Sequence, residues 1–202
     1  MLKAYLEINN YNNKFYIFKE GPLGAFKVNK TIYIVNPSEV LANNDNIEIK
    51  IATDEGKITD QAYTKIISKS IVNLRISISG SFSYIPHPIL FYNKANAEIN
   101  NEFYVSDKAI IIESYILGRK GHGEIFREGK IKSITKIFSR NRLKIFDIFK
   151  VKNEDYRNPN LMGKECIINI YKIENDEVDI DKRIVSTEDI EEELSLLYML
   201  TK

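Results

Sequence analysis

The stretch Ala109-Ile-Ile-Ile-Glu113-Ser-Tyr-Ile-Leu-Gly118-Arg119-Lys-Gly121-His-Gly123-Glu124-Ile-Phe126 runs an apolar segment straight into a glycine-bracketed group of charges. Ile110, Ile111 and Ile112 predict a strand, because β-branched side chains suit a pleated, buried surface. Gly118, Gly121 and Gly123 then predict a tight bend, since glycine alone enters left-handed backbone without a steric cost. An ordinary surface turn needs one or two of Gly, Asn or Pro, and its geometry does not ask for Arg119 and Glu124 as well.

Working outward, strand signals dominate. From Asn73 to Tyr84, Leu74, Ile76, Ile78, Phe82 and Tyr84 alternate with Arg75, Ser77, Ser79, Ser81 and Ser83, a period of two with one wet face. Gly80 falls on the apolar side and marks a bulge or a close backbone contact. Ile47 to Ile51 repeats the alternation. Further strands are expected near 2–8, 15–18, 27–35, 102–105, 109–116, 130–138, 142–151 and 166–173, each rich in Ile, Val, Phe or Tyr and bounded by turn formers. Residues 60–70 fit either a strand or a helix by period alone. A C-terminal helix is expected over about 187–201: Ser186 and Asp189 approximate a capping box, and Ile190, Leu194, Leu197 and Tyr198 form one apolar face. That face docks on its own domain or on a partner. No internal repeat of fixed period is read.

Composition bounds the rest. With 202 residues, 44% hydrophobic and 28% charged, the chain has the size and make-up of one globular domain. A net charge of +1 leaves no strongly basic footprint for nucleic acid. No apolar run approaches the roughly 18 residues of a membrane span, and the N-terminus does not read as a secretory signal, so a cytoplasmic protein is expected. The single Cys166 excludes an internal disulfide and reads as a small buried hydrophobe. Cations prevail from Arg119 to Lys144 and acids from Glu174 to Glu193, which are either two solvated faces or two ends of a partner surface.

The Gly118, Arg119, Gly123, Glu124 arrangement resembles the Gly-Arg-x-x-x-Gly-Glu signature of the UreD (UreH) urease accessory protein family. The likeness extends to the strand pair through Ile145 and to Asp147. Upstream, Thr59-Asp60-Gln61-Ala62-Tyr63-Thr64-Lys65-Ile66 is similar to the family's Thr-Thr-Gln-Ala-x-Thr-Lys segment, and Pro86-His87-Pro88 to its Pro-Asp-Pro element. The likeness covers roughly positions 30 to 150. His87 stands where the family has aspartate, and Glu39, Val40, Asn43 and Asn44 replace glycines. Asn43 and Asn44 tolerate positive φ, whereas Glu39 and Val40 do not take it cheaply, so a reshaped loop is expected.

The resemblance implies a mostly β domain of many short strands, β-helix-like or an irregular β-sandwich, and it favours strand over helix for 60–70. It implies a non-enzymatic scaffold or chaperone for inserting nickel into apo-urease, with urease subunits, UreF, the GTPase UreG and UreE as partners. It implies no tightly bound metal or cofactor, only nickel in transit along an interior channel. Asp45, Glu113, Arg119, Glu124 and Asp147 are the candidates for the channel or the partner surface, and Asp60, Gln61, Gly118 and Gly123 for family-motif structural roles.

The residues alone keep other readings open. Glu124 either forms a fork with Arg119 that organises the bend or lines a path for the ion, and Asp45 suits an Asx-turn equally well. His87, His122 and Cys166 are the nitrogen and sulfur ligands available, and their spacing matches no structural zinc site. No Gly-x-Ser-x-Gly elbow, His-Glu-x-x-His helix or phosphate loop is present. A carbohydrate-active enzyme using Glu113, Glu124 and Asp147 is one alternative, and a β-scaffold binding module with no metal role is another.

Overall fold

A computed structural model describes residues 3–12, 14–78 and 80–199 and, within these, all side chains except those of 74–78. Among the described residues the chain runs through β1 (Lys3–Tyr11), β2 (Lys14–Glu20), β3 (Gly24–Val28), β4 (Thr31–Val35), β5 (Val40–Leu41), β6 (Asp45–Thr53), β7 (Gly56–Asp60), β8 (Thr64–Ile66) and β9 (Lys69–Ile78). It continues through β10 (Phe82–Tyr84), β11 (Ile89–Phe91), β12 (Asn96–Val105), β13 (Lys108–Arg119), β14 (Glu124–Ile125), β15 (Lys130–Ser139) and β16 (Arg142–Lys152). Last come β17 (Cys166–Glu174), β18 (Glu177–Val185) and the helix α1 (Ile190–Met199).

Two sheets form. One has the order β16-β15-β12-β9-β6-β1-β2; the other runs β3-β4-β7-β10-β13-β11-β8-β5, with β14, β17 and β18 added beside β13. Most neighbours are parallel, and antiparallel pairs are confined to hairpins at the margins and to the β13-β17-β18 run. Parallel neighbours need a crossover. Here the crossover is a strand of the opposite sheet: β6 leads to β7 and β8, back to β9, on to β10 and β11, back to β12, then to β13. Of the two architectures the family resemblance implied, this winding is the β-helix-like one.

A structural repeat follows, which corrects the reading that none exists. Asn100 Nδ2 donates to Asn73 Oδ1 at 3.1 Å and Asn73 Nδ2 to Asn46 Oδ1 at 3.5 Å, each step being 27 residues, one per coil. The repeat escapes a reading by residue identity because it lives in ladder position.

Burial explains the sequence patterns. β1, β6, β12 and β15 alternate buried and half-exposed residues, since one face looks inward and the other to water. β13 is buried on both faces because α1 covers the outside of its sheet, where Ile190, Leu194 and Leu197 pack with Ile112, Ile116, Ile168 and Ile170. The helix therefore docks on its own chain.

Several expectations need correction. The stretch 27–35 is the hairpin β3–β4 turning at Asn29 (φ 55°), not one strand. The stretch 73–84 divides into β9 and β10 in different sheets. A Cβ at Gly80 would sit 1.9 Å from the Asp54 carbonyl oxygen, so the corner depends on glycine. The alternation read at 74–79 and the strand start at Leu2 lie outside the described residues or side chains. β18 occupies an acidic stretch in which no strand is expected, and its pairing with β17 rather than its composition makes it one. Glu39 does take positive φ (53°); its main-chain oxygen accepts the Lys65 N–H and its carboxylate the Lys65 ammonium, both at 2.7 Å, which offsets the strain. The helix starts at Ile190: Ser186 Oγ bonds the Asp189 carboxylate at 2.7 Å, making a turn ahead of it, and the expected end at 200–201 lies outside the described residues.

Candidate functional site

The glycine-rich corner is built by β13 and β14 with a 3-10 turn, Lys120–His122, between them. Gly118 has φ 83°, and a Cβ there would meet the Phe126 nitrogen at 2.7 Å and the Glu124 carbonyl oxygen at 2.8 Å. Gly123, at φ 74°, ends the turn in open space. Arg119 and Glu124 are cross-strand partners, and Arg119 Nε donates to Glu124 Oε2 at 2.7 Å. Glu124 Oε1 accepts the Asn93 N–H at 2.8 Å, and the Arg119 guanidinium lies 4.3 Å from the centre of the Tyr92 ring. The pair thus clamps the corner to the loop after β11, beside a surface depression that Glu124 lines with Tyr156 and Glu165.

Glu113 lies deeper, on the face of β13 that looks into the space between the sheets. It is 4% exposed and accepts hydrogen bonds from Asn101 Nδ2 at 2.7 Å, from Thr135 Oγ1 at 2.7 and 2.9 Å, and from the Tyr115 hydroxyl at 3.4 Å. Burial pushes its carboxyl up to about 7; the Thr135 and Asn101 bonds oppose that, and neighbouring Asp147 reinforces it. Asp147 is the cross-strand partner of Thr135. It accepts the Tyr171 hydroxyl at 2.6 Å and binds the Lys182 ammonium at 2.7 Å. Burial works to raise Asp147, but the Lys182 and Tyr171 bonds win and hold it below the usual range. Asn169, the cross-strand partner of Glu113, is 2% exposed, and its Oδ1 has no hydrogen-bond partner. Five strands, β12, β13, β15, β16 and β17, so contribute to one polar layer in the interior.

A cavity of about 90 Å³, room for several water molecules, reaches this layer. Asn101, Glu113 and Tyr115 line its inner part and Asp60, Tyr63 and His87 another part. Asp60 Oδ1 accepts the His87 main-chain N–H at 2.8 Å and approaches ring Nδ1 at 2.7 Å. That bond raises the pKa of His87 against the opposing effect of burial. The Tyr63 hydroxyl hydrogen-bonds Glu191 of α1, so the helix reaches the same side of the cavity.

Residues 20–185 match the sequence profile of the family described as UreD urease accessory protein. The chain belongs to the UreD family. It is 23% identical over 142 residues to the urease accessory protein UreD of Flavobacterium johnsoniae, an alignment covering 64% of this chain and 51% of that protein. The chain therefore spans about half the length of the curated relative it matches.

The UreD signature residues are thus at one corner, and the UreD-like Thr59–Ile66 segment is at the cavity. Thr59 Oγ1 donates to the Ile85 carbonyl at 2.7 Å, and the Gln61 N–H donates to the Ile34 carbonyl at 3.0 Å. Of the candidate acids, Glu113 and Asp147 share the polar layer, and Glu113 also lines the cavity. Asp45 stands apart: its carboxylate accepts the Ala42 N–H at 3.0 Å and closes the turn through Asn43 and Asn44, both at positive φ as expected. Glu124 is engaged by Arg119 and Asn93 at the surface. Sequence reasoning missed Asn101, Thr135, Asn169, Tyr171 and Lys182. Asn101 and Thr135 carried a signal, a polar residue at an inward position of an alternating strand, and Asn169 another, a lone polar residue in an apolar run. Tyr171 and Lys182 carried none, since only the β17–β18 pairing brings them to Asp147.

Cys166 is buried, and burial pushes its thiol up to about 12, which suits a packed hydrophobe rather than a thiolate ligand. Part of the charge asymmetry is taken up in surface pairs: Lys132 with Glu98, Lys136 with Glu102, Lys144 with Asp176 and Arg183 with Glu193. No described helix is long and apolar enough to cross a membrane.

Proposed function

We propose that this chain is a non-enzymatic scaffold for urease maturation that offers nickel a weakly ligating passage between its sheets, with a few polar side chains set in a mostly apolar lining. The supporting observation is the cavity that joins Asp60, Tyr63 and His87 to the buried Glu113 inside a UreD-family fold. A carrier that must release its ion gains from sparse ligation, because a full set of ligands holds the ion too long. Among the described residues no three His, Cys, Asp or Glu side chains converge on one point. Glu113 and Asp147 are the acids of the passage, and the Arg119–Glu124 clamp belongs to the surface that meets the partners. Those partners are the urease subunits with UreF and the GTPase UreG, with UreE delivering nickel upstream, in the cytoplasm.

The test is reconstituted activation of apo-urease with UreF, UreG, GTP and nickel. Adding this chain is expected to raise the nickel content and activity of urease and to co-purify the partners with it. Arg119→Ala is expected to lower activation at least severalfold while the chain stays folded by circular dichroism. Nickel content in urease that is indifferent to the chain would remove the reading.

A further inference from the structure

His87 sits between Pro86 and Pro88, whose rings fix the backbone on either side of it. Asp60 lies one coil earlier and holds the residue at two points, main-chain N–H and ring Nδ1, through a single carboxylate oxygen. A carboxylate on Nδ1 keeps the proton there in the neutral ring, so Nε2 presents its lone pair. Nε2 has no hydrogen bond among the described residues, and the side chain is 39% exposed at the edge of the cavity. The Tyr63 ring lies 5.6 Å away, centre to centre, and its hydroxyl carries Glu191. A histidine whose second nitrogen is fixed by a carboxylate is the arrangement found around metal-bound imidazoles, and imidazole suits Ni²⁺, Cu²⁺ and Zn²⁺.

We propose that His87 Nε2 is the first protein ligand met by a divalent transition-metal ion at the cavity, with Asp60 as its positioning residue and water filling the rest of the shell. This rests on the passage reading and names its entry. One nitrogen with water binds weakly and exchanges fast, as a point of entry must. Asp60 and Glu191 add negative charge on the same side of the cavity.

The experiment is titration of the ¹⁵N-labelled full chain with nickel chloride, followed by ring and amide ¹H–¹⁵N spectra. The chain has two histidines, so His122, which has no carboxylate on its ring among the described residues, serves as the internal comparison. Substoichiometric Ni²⁺ is expected to broaden the His87 ring and the amides of Tyr63 and Thr64 while the His122 ring stays sharp. His87→Gln is expected to abolish that pattern. Asp60→Asn is expected to weaken it about tenfold and to shift the ring ¹⁵N signals toward a mixture of tautomers. Equal broadening at both histidines, or broadening at Tyr63 that survives His87→Gln, would mean an adventitious ion only. Broadening at Asn101 and Thr135 with His87 untouched would overturn the entry role and leave the passage standing.

Discussion

Glu113→Gln separates the two protonation states of the buried carboxyl. In the folded chain the group titrates at about 7, against 4.5 when it is free of the fold. The raised value makes the protonated form the stabilising one. That contribution is complete below about pH 4.5 and is lost as pH rises through 7. At about 1.4 kcal/mol per pH unit, the 2.5 units between the two values set the loss at about 3 kcal/mol by pH 8.5. Glutamine has no charge to bury, and its carbonyl oxygen still accepts from Asn101 and Thr135. Its amide nitrogen takes the place of Oε2, beside the Thr135 and Tyr115 hydroxyls, whose oxygens can accept from it. Urea unfolding of both proteins from pH 5 to 8.5 is expected to give stabilities within about 1 kcal/mol of each other at pH 5. At pH 8.5 the variant is expected to be more stable by about 3 kcal/mol. Two parallel pH curves with a constant gap between them would refute the buried-carboxyl argument, whatever the size of the gap.

Gly118→Ala forces a Cβ to 2.7 Å from the Phe126 nitrogen at φ 83°, so a loss of about 2–3 kcal/mol is expected in thermal or urea unfolding, whereas Gly123→Ala, with open space around it, loses only about 1 kcal/mol. Asp147 is held below its usual range. Its contribution is therefore present above about pH 4 and disappears as pH falls through its folded value. Asp147→Asn is expected to flatten the acid limb of an unfolding curve measured from pH 5 to pH 2, and an unchanged limb would show that Lys182 and Tyr171 do not hold the carboxylate.

Much of the fold was legible because side-chain direction in a strand is local. Period-two alternation in Ile47–Ile51 and the apolar face Ile190, Leu194, Leu197 put these residues on the buried side without any tertiary knowledge, and the three glycines of the corner announced their turn. The break at Gly80 showed in the sequence only as an odd glycine, because the Asp54 carbonyl of the preceding coil is what demands it, whereas the turn at Asn29 is local, a hairpin bend at positive φ inside a stretch read as one strand.

By itself, then, the amino-acid order determined which residues face inward, where the corner lies and which family the signature points to. Only the tertiary structure decided that Glu113, Asp147 and Asn169 share a layer, that Asp45 and Glu124 stay outside it, and that Asp60 reaches His87. The reason is distance along the chain. These contacts join residues a full coil or several strands apart, and the stacking of one coil on the next selects them, not any local pattern.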